Sequence, residues 1–150
     1  MASAVATEKI GSSLYIQSFD HDPGGTTAIL AGPDGGTTIR YVDMKDYTVF
    51  GVQVRPTIIT TSLTRVEILA SPVVAMTSAV VVKDSGVVVA DSLNDTVFLE
   101  CTDAEVIQLG ATLRYVAARI TTTTSTDEAN VTYIGVPKRK VSGLTATAIT

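Results

Sequence analysis

The sequence of 150 residues has few of the residue types on which enzymes and metal sites depend. It contains one cysteine, one histidine and no tryptophan, with three phenylalanines and five tyrosines. A single cysteine excludes a disulfide within the chain. A single histidine means that a zinc site would need carboxylates from distant parts of the sequence. We therefore expect a protein that is not an enzyme and that carries no cofactor.

Long apolar runs and a strong charge of one sign are also absent. Apolar runs such as Val87–Ala90 extend over a few residues, far short of the ~20 that a membrane-spanning helix needs. Glu8 and Lys9 occupy the place where a signal peptide has its apolar stretch. The net charge is −4, whereas nucleic-acid binders usually carry a basic stripe. The sequence predicts a protein that binds neither membranes nor nucleic acids.

Threonine and valine dominate the composition. There are 23 Thr and 20 Val in the chain, and 45% of the residues are hydrophobic. Both side chains are branched at Cβ, which restricts χ1 and suits a pleated, half-buried strand better than a helix. The composition therefore predicts a folded protein built mainly from β-strands.

The clearest strand is the stretch YTVFGVQVRP at 47–56. Phe50, Val52 and Val54 alternate with polar residues, the pattern of a strand with one buried face. Pro56 should end or bend this strand. Two GGTT repeats, at 24–27 and 35–38, should each open a strand after a turn. Further strands are predicted at 13–19, 57–70 and 95–101, in a hairpin at 79–90, and in a pair at 112–123 and 130–136.

One short helix is predicted at 103–109. Thr102 precedes it, and Glu105 follows three residues later, which is the spacing of a capping box that satisfies the first free amides of a helix. Gly110 stands where a helix commonly ends. Together, about eight short strands and one helix predict an all-β, mainly antiparallel fold, with a jelly-roll-like sandwich as the preferred form. We expect an N-terminal arm at 1–11, one domain at 12–137 and a tail at 138–150.

The candidate chemical residues favour structural roles. His21 lies in FDHDPGG between two aspartates, and we expect a polar surface turn rather than a metal or acid–base site. Cys101 follows Glu100, an unfavourable neighbour for a thiolate, and should be a small core residue. Most of the acidic residues fall in turns, where solvated side chains are the rule. The glycine clusters match neither phosphate-binding fingerprint.

One basic cluster remains, formed by Lys138, Arg139 and Lys140. Three adjacent cations neutralise too few phosphates for strong nucleic-acid binding. They belong either to a solvated tail or to a surface that docks on an acidic partner.

Several segments of the sequence resemble small virion proteins of tailed bacteriophages. The similarity lies in MKDYTVFGVQV and TRVEILAS, and then in VFLECTDAEVIQLGATLR and YVAARITTTTSTDEANVTYIGVPKR. The shared order is a strand entered at DY, a strand followed by the capping-box helix, LRYVAARI, and a closing VTYI strand. The resemblance covers about 43–137 and implies a head decoration (cement) protein, or a similar minor structural component, with no catalytic residues.

Such a protein would bind the outside of a capsid and stabilise the shell, with the major capsid protein or other virion proteins as partners. It would be made in the host cytoplasm. Its termini would act as arms that become ordered on binding, with Lys138, Arg139 and Lys140 meeting acidic shell residues. A homo-oligomer is expected, with a trimer favoured over a dimer. The alternatives are a neck, tail or fibre-base component, or a carbohydrate-binding β-sandwich.

Overall fold

The computed structural model describes residues 14–22, 27–33 and 37–138, which form nine strands and one short helix. The predicted arm at 1–11 and the tail at 139–150 lie outside the described residues. The elements, in chain order, are β1 Tyr15–His21, β2 Thr27–Leu30, β3 Val42–Asp43, β4 Tyr47–Ile58, β5 Leu63–Ser71, β6 Val80–Asp84, β7 Val97–Thr102, α1 Asp103–Leu109, β8 Tyr115–Thr122 and β9 Glu128–Pro137.

The strands form two antiparallel sheets that pack face to face. The first sheet has the order β1-β9-β4-β7 and the second has the order β2-β8-β5-β6, with the short β3 also paired to β8. Apart from β3, the strands pair in a nested way: the first with the last, the second with the second-last, β4 with β7, and β5 with β6. This nesting is the topology of a jelly roll, a long antiparallel ribbon folded over into two sheets. The predicted all-β sandwich is confirmed.

The two ends of the sandwich differ. Tyr47 at the start of β4 pairs with Pro137 at the end of β9, and α1 follows β7 at this same end. We call it the helix end. At the other end, Ile58 pairs with Glu128, and β5 begins after a short connection. We call that the loop end.

The core lies between the sheets and follows the alternation in the sequence. Phe50, Val52 and Val54 of β4 are fully buried, as predicted, and they face Val66 and Ile68 of β5, which are also fully buried. Burying one such side chain contributes roughly 1.5–3 kcal/mol. The two inner faces together therefore supply most of the driving force for the fold.

The helix forms where the sequence predicts it. The hydroxyl of Thr102 accepts from the amide of Glu105 at 3.2 Å, and the Glu105 carboxylate accepts from the Thr102 amide at 2.9 Å, so the capping box is complete. Gly110 ends the helix by donating its amide to Ile107 at 3.1 Å. Val106 is the one buried residue of α1 and attaches the helix to the core.

The predicted hairpin at 79–90 is wrong. β6 pairs with β5, and the chain then continues along the same edge of the sheet. The amide of Val88 donates to the carbonyl of Thr64 at 2.8 Å, and Ala90 bridges to the first residue of β5. Gly86, with φ of 69°, bends the chain without reversing it. Both valine runs bind β5 in succession because its edge is open along its whole length.

The predicted pairing of the last two strands is also wrong. β8 pairs with β2 and β5 in the second sheet, whereas β9 pairs with β1 and β4 in the first. Residues 123–127 therefore carry the chain from one sheet to the other. The alternating pattern of both strands is confirmed. However, β8 and β9, which the sequence suggests as a hairpin, lie in different sheets on opposite sides of the core.

Pro56 bends β4, which is one of its two predicted outcomes: the strand continues through the proline with a shift in register. Two other strand boundaries differ from the prediction. β5 then begins at Leu63, later than predicted. The second GGTT repeat does not open a strand, since 37–41 are irregular and β3 follows with two residues. A Cβ added to Gly32 would clash with the carbonyl oxygen of Thr38, so the chain crosses itself closely at this point.

Candidate docking surfaces

Of the basic cluster, the structure describes Lys138, the residue that follows β9. Its amide donates to the carbonyl of Asp46 at 2.9 Å, and its ammonium group lies 3.0 Å from the carboxylate of Asp103 at the start of α1. Arg139 and Lys140 lie outside the described residues. Lys138 thus directs the chain out of the fold at the helix end, and the role predicted for the three cations in docking stays a prediction.

A shallow cleft of about 210 Å³ lies beside Lys138. Arg114 at its rim donates from Nε to Oδ1 of Asp43 at 2.7 Å. Burial opposes ionisation of Asp43, but the hydrogen bond and charge of Arg114 outweigh it and lower the pKa of that carboxyl. The cleft is lined by Met44, Lys45, Asp103, Val106, Ile107, Ala111, Thr112, Leu113, Arg114 and Lys138. Arg114 and Lys138 are paired with Asp43 and Asp103 respectively, so Lys45 is the one cation of the lining without a described ion pair.

The outer face of the first sheet carries a group of apolar side chains in its half towards the helix end. Ile16 pairs with Ile134, which pairs with Gly51, and Val49 pairs with Val136 in the next row. Phe98 of β7 lies over Gly51, where an added Cβ would come 3.2 Å from its ring. Ile16 is 58% exposed and Phe98 is 52% exposed. We call this surface the outer apolar stripe; its members are Ile16, Val49, Phe98, Ile134 and Val136.

The same sheet face becomes polar towards the loop end. Ser18 and Thr132 are joined through their hydroxyl groups, and Asn130 donates to the carboxylate of Asp20 at 3.1 Å. Arg55 donates to the carbonyl of Leu93 at 3.0 Å. One face of the sheet thus combines an apolar half with a polar half.

His21 does not lie in a surface turn, so that prediction is wrong. It is the last residue of β1 and is 1% exposed, with Nδ1 3.0 Å from the carbonyl oxygen of Gly32. Burial lowers the pKa of the imidazole, although the bond to Gly32 and the charge of Asp22 act in the opposite direction. His21 is therefore a neutral residue of the loop end, hidden from solvent.

Cys101 is a buried core residue, as predicted. It is 1% exposed, and burial raises the pKa of its thiol to about 12. It pairs with Phe50 at the helix end, whereas His21 pairs with Ala129 at the loop end. A strand distance of roughly 20 Å separates the two positions. The thiol and the imidazole therefore form no nucleophile–base pair.

The acidic residues are engaged in structure more than the sequence suggests. Asp127 was expected in a solvated turn, but it is fully buried and accepts from the amides of Thr60 and Thr61 at 2.6 and 3.3 Å. Ion pairs occupy further carboxylates, among them Glu67 with Arg119. Within the described part of the chain, no group of three His, Cys, Asp or Glu side chains could hold a metal ion.

The described ranges 14–22, 27–33 and 37–138 contain no helix long and apolar enough to cross a membrane. A comparison of the sequence with models of known protein families and with curated proteins finds no match. The outer apolar stripe and the charged helix end are thus the features from which function is inferred. Sequence periodicity alone could not identify the stripe, because its members come from four strands that are distant along the chain.

Proposed function

We propose that this protein is a structural component of a tailed-bacteriophage virion that binds the outside of the capsid as a decoration protein and stabilises the shell. The observation that carries the proposal is the outer apolar stripe on the outer face of the first sheet, in which Ile16 and Phe98 are exposed and the other three apolar side chains are half-buried. A soluble monomer has little reason to expose such a surface, and contiguous exposed apolar patches commonly mark interaction sites.

The jelly roll by itself does not select this function. The same architecture serves viral capsid proteins, lectins and cupins, and fold alone does not imply function. The virion proposal rests in addition on the resemblance of residues 43–137 to phage virion proteins. A small contact surface on each copy is sufficient on a shell, because many copies bind at once and each contact contributes to the stability of the particle.

The helix end supplies the second half of the proposed contact. The cleft with Lys45, Arg114 and Lys138 lies at the same end of the sandwich as the stripe. Val49 of the stripe itself borders Lys83, Glu100 and Glu105. Arg139 and Lys140 follow Lys138 directly in the sequence. An acidic rim on the shell subunit would complement this region, while an apolar patch would cover the stripe. Charge at the rim of an interface mainly sets the rate and orientation of docking, and the apolar centre supplies most of the affinity.

The test is the binding of purified protein to capsid shells assembled without it. We expect saturable binding at a fixed number of copies per major capsid protein, and strong loss of binding for Ile16→Asp. Ile58→Asp is the matched control, because Ile58 is also an exposed isoleucine but lies at the loop end. Equal binding of both variants would remove the stripe from the contact. No binding of the wild-type protein would refute the decoration role.

Where the protein lies on the particle separates this proposal from the neck, tail and fibre-base alternatives. Electron micrographs of particles labelled on this protein should show it over the whole capsid surface. Label confined to one vertex or to the tail would favour the alternatives. The carbohydrate-binding alternative has weaker support: among the exposed large apolar side chains of the described ranges, Phe98 is the one aromatic ring, and sugar sites depend on such rings.

A further inference from the structure

The edge of the second sheet is open beyond β6. After β6 the chain runs beside the first half of β5, held there by the Val88 amide on the Thr64 carbonyl at 2.8 Å and by the Ala90 amide on the Leu63 carbonyl at 3.0 Å. Val87 precedes the first of these bonds, and Val89 lies between them. The two valines are the most exposed large apolar residues of the described chain, at 83% and 70%. This irregular segment follows β6 along the outer side of β5 at the loop end, and Ala90 forms an isolated bridge to Leu63.

Its backbone has unused hydrogen-bonding capacity. Val88 and Ala90 direct their amides to β5, whereas no hydrogen bond joins the backbone of Val87 or Val89 to any other described residue. Unpaired groups along a sheet edge form a template for another strand, and proteins usually block such an edge with charges, proline or a covering element. The run Gly86–Ala90 contains no charged residue and no proline.

The neighbouring part of the same edge is protected. β6 carries Lys83 and Asp84, and Lys83 forms an ion pair with Glu105 of α1, which places the helix beside this half of the edge. Asp84 forms a second pair with Arg65 at 2.8 Å. Protection therefore ends where β6 ends. β6 is shielded by ion pairs, whereas the Val87–Val89 segment is not. This segment is therefore the part of the edge that is free to pair with another strand.

The C-terminal sequence has the pattern of a strand that could use it. Residues 143–150 read GLTATAIT, in which Leu144, Ala146 and Ala148 alternate with threonines, and no charged residue follows Lys140. Alternation of this kind is typical of a half-buried strand. Small apolar side chains on one face would pack beside the exposed valines, since neighbouring residues on one face of a sheet are in contact.

We propose that the sheet edge at Val87–Val89 accepts residues 144–148 of a second copy of this chain as an added strand. Main-chain hydrogen bonds to the unused groups of Val87 and Val89 provide the binding, and the alternating apolar side chains set the register. The proposal does not depend on the virion role, because it concerns contacts between copies of this chain.

The reach of the chain favours a tail that comes from another copy. Arg114 lines the cleft with Lys138 and donates its amide to Ser71, so the described chain ends level with the last residue of β5. Val88 contacts Thr64, seven residues back along β5, which is roughly 23 Å away. From Lys138 to residue 144 the chain has six Cα–Cα steps and spans at most roughly 20–22 Å. β9 lies in the first sheet, whereas the added strand would lie beyond β6 in the second sheet, roughly 10 Å away. The path around the sandwich is therefore longer than the distance along β5, and the edge of a second copy is the more accessible site.

The resulting contact joins two different surfaces, a tail on one copy and an edge on the next. Such a heterologous contact closes into a ring when the rotation between copies allows it, and two copies can also exchange tails reciprocally. Either arrangement covers every open edge and leaves no tail unpaired. A closed homo-oligomer is the expected product.

Disulfide trapping between two distinguishable copies tests the proposal. One copy carries Val89→Cys and the other, of different size, carries Ala146→Cys; the native Cys101 is buried and serves as the unreactive background. We expect a mixed disulfide under mild oxidation, in several-fold higher yield than with Val73→Cys, an exposed valine away from the edge. Equal yields at both valines would overturn the proposal.

Two further measurements complete the test. A chain with both Val89→Cys and Ala146→Cys should form disulfides between chains, and a product linked only within one chain would overturn the assignment to a second copy. Sedimentation should show a wild-type oligomer and a folded monomer for Ala146→Asp, with the circular dichroism spectrum unchanged. A monomeric wild type would refute the exchange. So would an Ala146→Asp variant that assembles normally.

Discussion

Arg119 on β8 donates two hydrogen bonds to the carboxylate of Glu67 on the neighbouring strand β5, at 2.6 and 2.9 Å, although Glu67 is only 5% exposed. The pair lies on the outer face of the second sheet, where the sequence predicts an exposed glutamate. Removing the arginine would leave a nearly buried carboxylate without its partner, which is far more costly than losing an exposed ion pair.

The first prediction concerns this pair. Arg119→Met should lower the free energy of unfolding by about 2 kcal/mol, a buried-pair cost reduced because the Arg119 side chain is about a third exposed. The double variant Glu67→Leu/Arg119→Met should recover most of the loss. Urea unfolding provides the measurement. Arg65→Met breaks the exposed pair with Asp84 and should have a much smaller effect; equal losses in the two arginine variants would contradict the interpretation.

The second prediction concerns stability in acid. Burial of Asp127 opposes its ionisation, but hydrogen bonds from Thr60 and Thr61 outweigh this and lower the pKa of the carboxyl. Because the pKa is lower in the folded state, the stabilisation is present above the unfolded value of about 3.8 and is lost as the pH falls through the folded value.

We therefore expect Asp127→Asn to lower the free energy of unfolding at pH 7 by about 2 kcal/mol and to make the remaining stability less dependent on pH below 4. Asp91→Asn, at an exposed aspartate, should leave both quantities unchanged. The measurement is thermal unfolding at a series of pH values. An Asp127→Asn variant that loses stability in acid as steeply as the wild type would contradict the prediction.

The third prediction uses His21, the one histidine of the chain. Burial lowers its pKa from 6.5, so the folded state holds a neutral imidazole. The corresponding stability is present above pH 6.5 and declines as the pH falls below it, by up to about 1.4 kcal/mol per pH unit. His21→Gln should abolish this decline between pH 6.5 and 5. Parallel slopes for the two proteins in denaturant titrations would show that His21 is not responsible.

The fourth prediction concerns two glycines at which substitution should destabilise the fold for different reasons. A Cβ on Gly135 would lie 2.7 Å from the ring of Tyr47, so Gly135→Ala should destabilise by roughly 1–3 kcal/mol through overpacking. Gly86 has open space around it but a φ of 69°, so Gly86→Ala should cost about 1 kcal/mol through backbone strain. Asn tolerates this conformation, and Gly86→Asn should therefore be milder than Gly86→Ala. Gly135→Asn should instead be worse than Gly135→Ala; the reverse order at either site would refute the assigned cause.

Local signals in the sequence were reliable where the structure depends on neighbours along the chain. The capping box of Thr102 and Glu105 forms as predicted because both groups lie within one turn of helix. The alternation of Phe50, Val52 and Val54 correctly predicts a buried face because strand geometry places every second residue on the same side. The all-β class follows in the same way from the abundance of residues branched at Cβ.

The candidate surfaces were less predictable. The outer apolar stripe combines Ile16, Val49, Phe98 and Ile134, which become neighbours through the order of the first sheet. The open edge at Val87–Val89 was hidden because two valine runs around a glycine resemble a hairpin. Its exposure depends on whether the second run pairs with the first or with β5, and nothing within the segment decides between them.

The sequence by itself determined the β class, the helix and the inward side of strands such as β4, because these depend on backbone preferences and on a period of two or 3.6 residues. Only the tertiary structure decided which strands pair, that β8 and β9 lie in different sheets, and that Asp127 and His21 are buried. Those outcomes depend on contacts between residues far apart in the chain. Such contacts are selected by the packing of two whole sheets against each other.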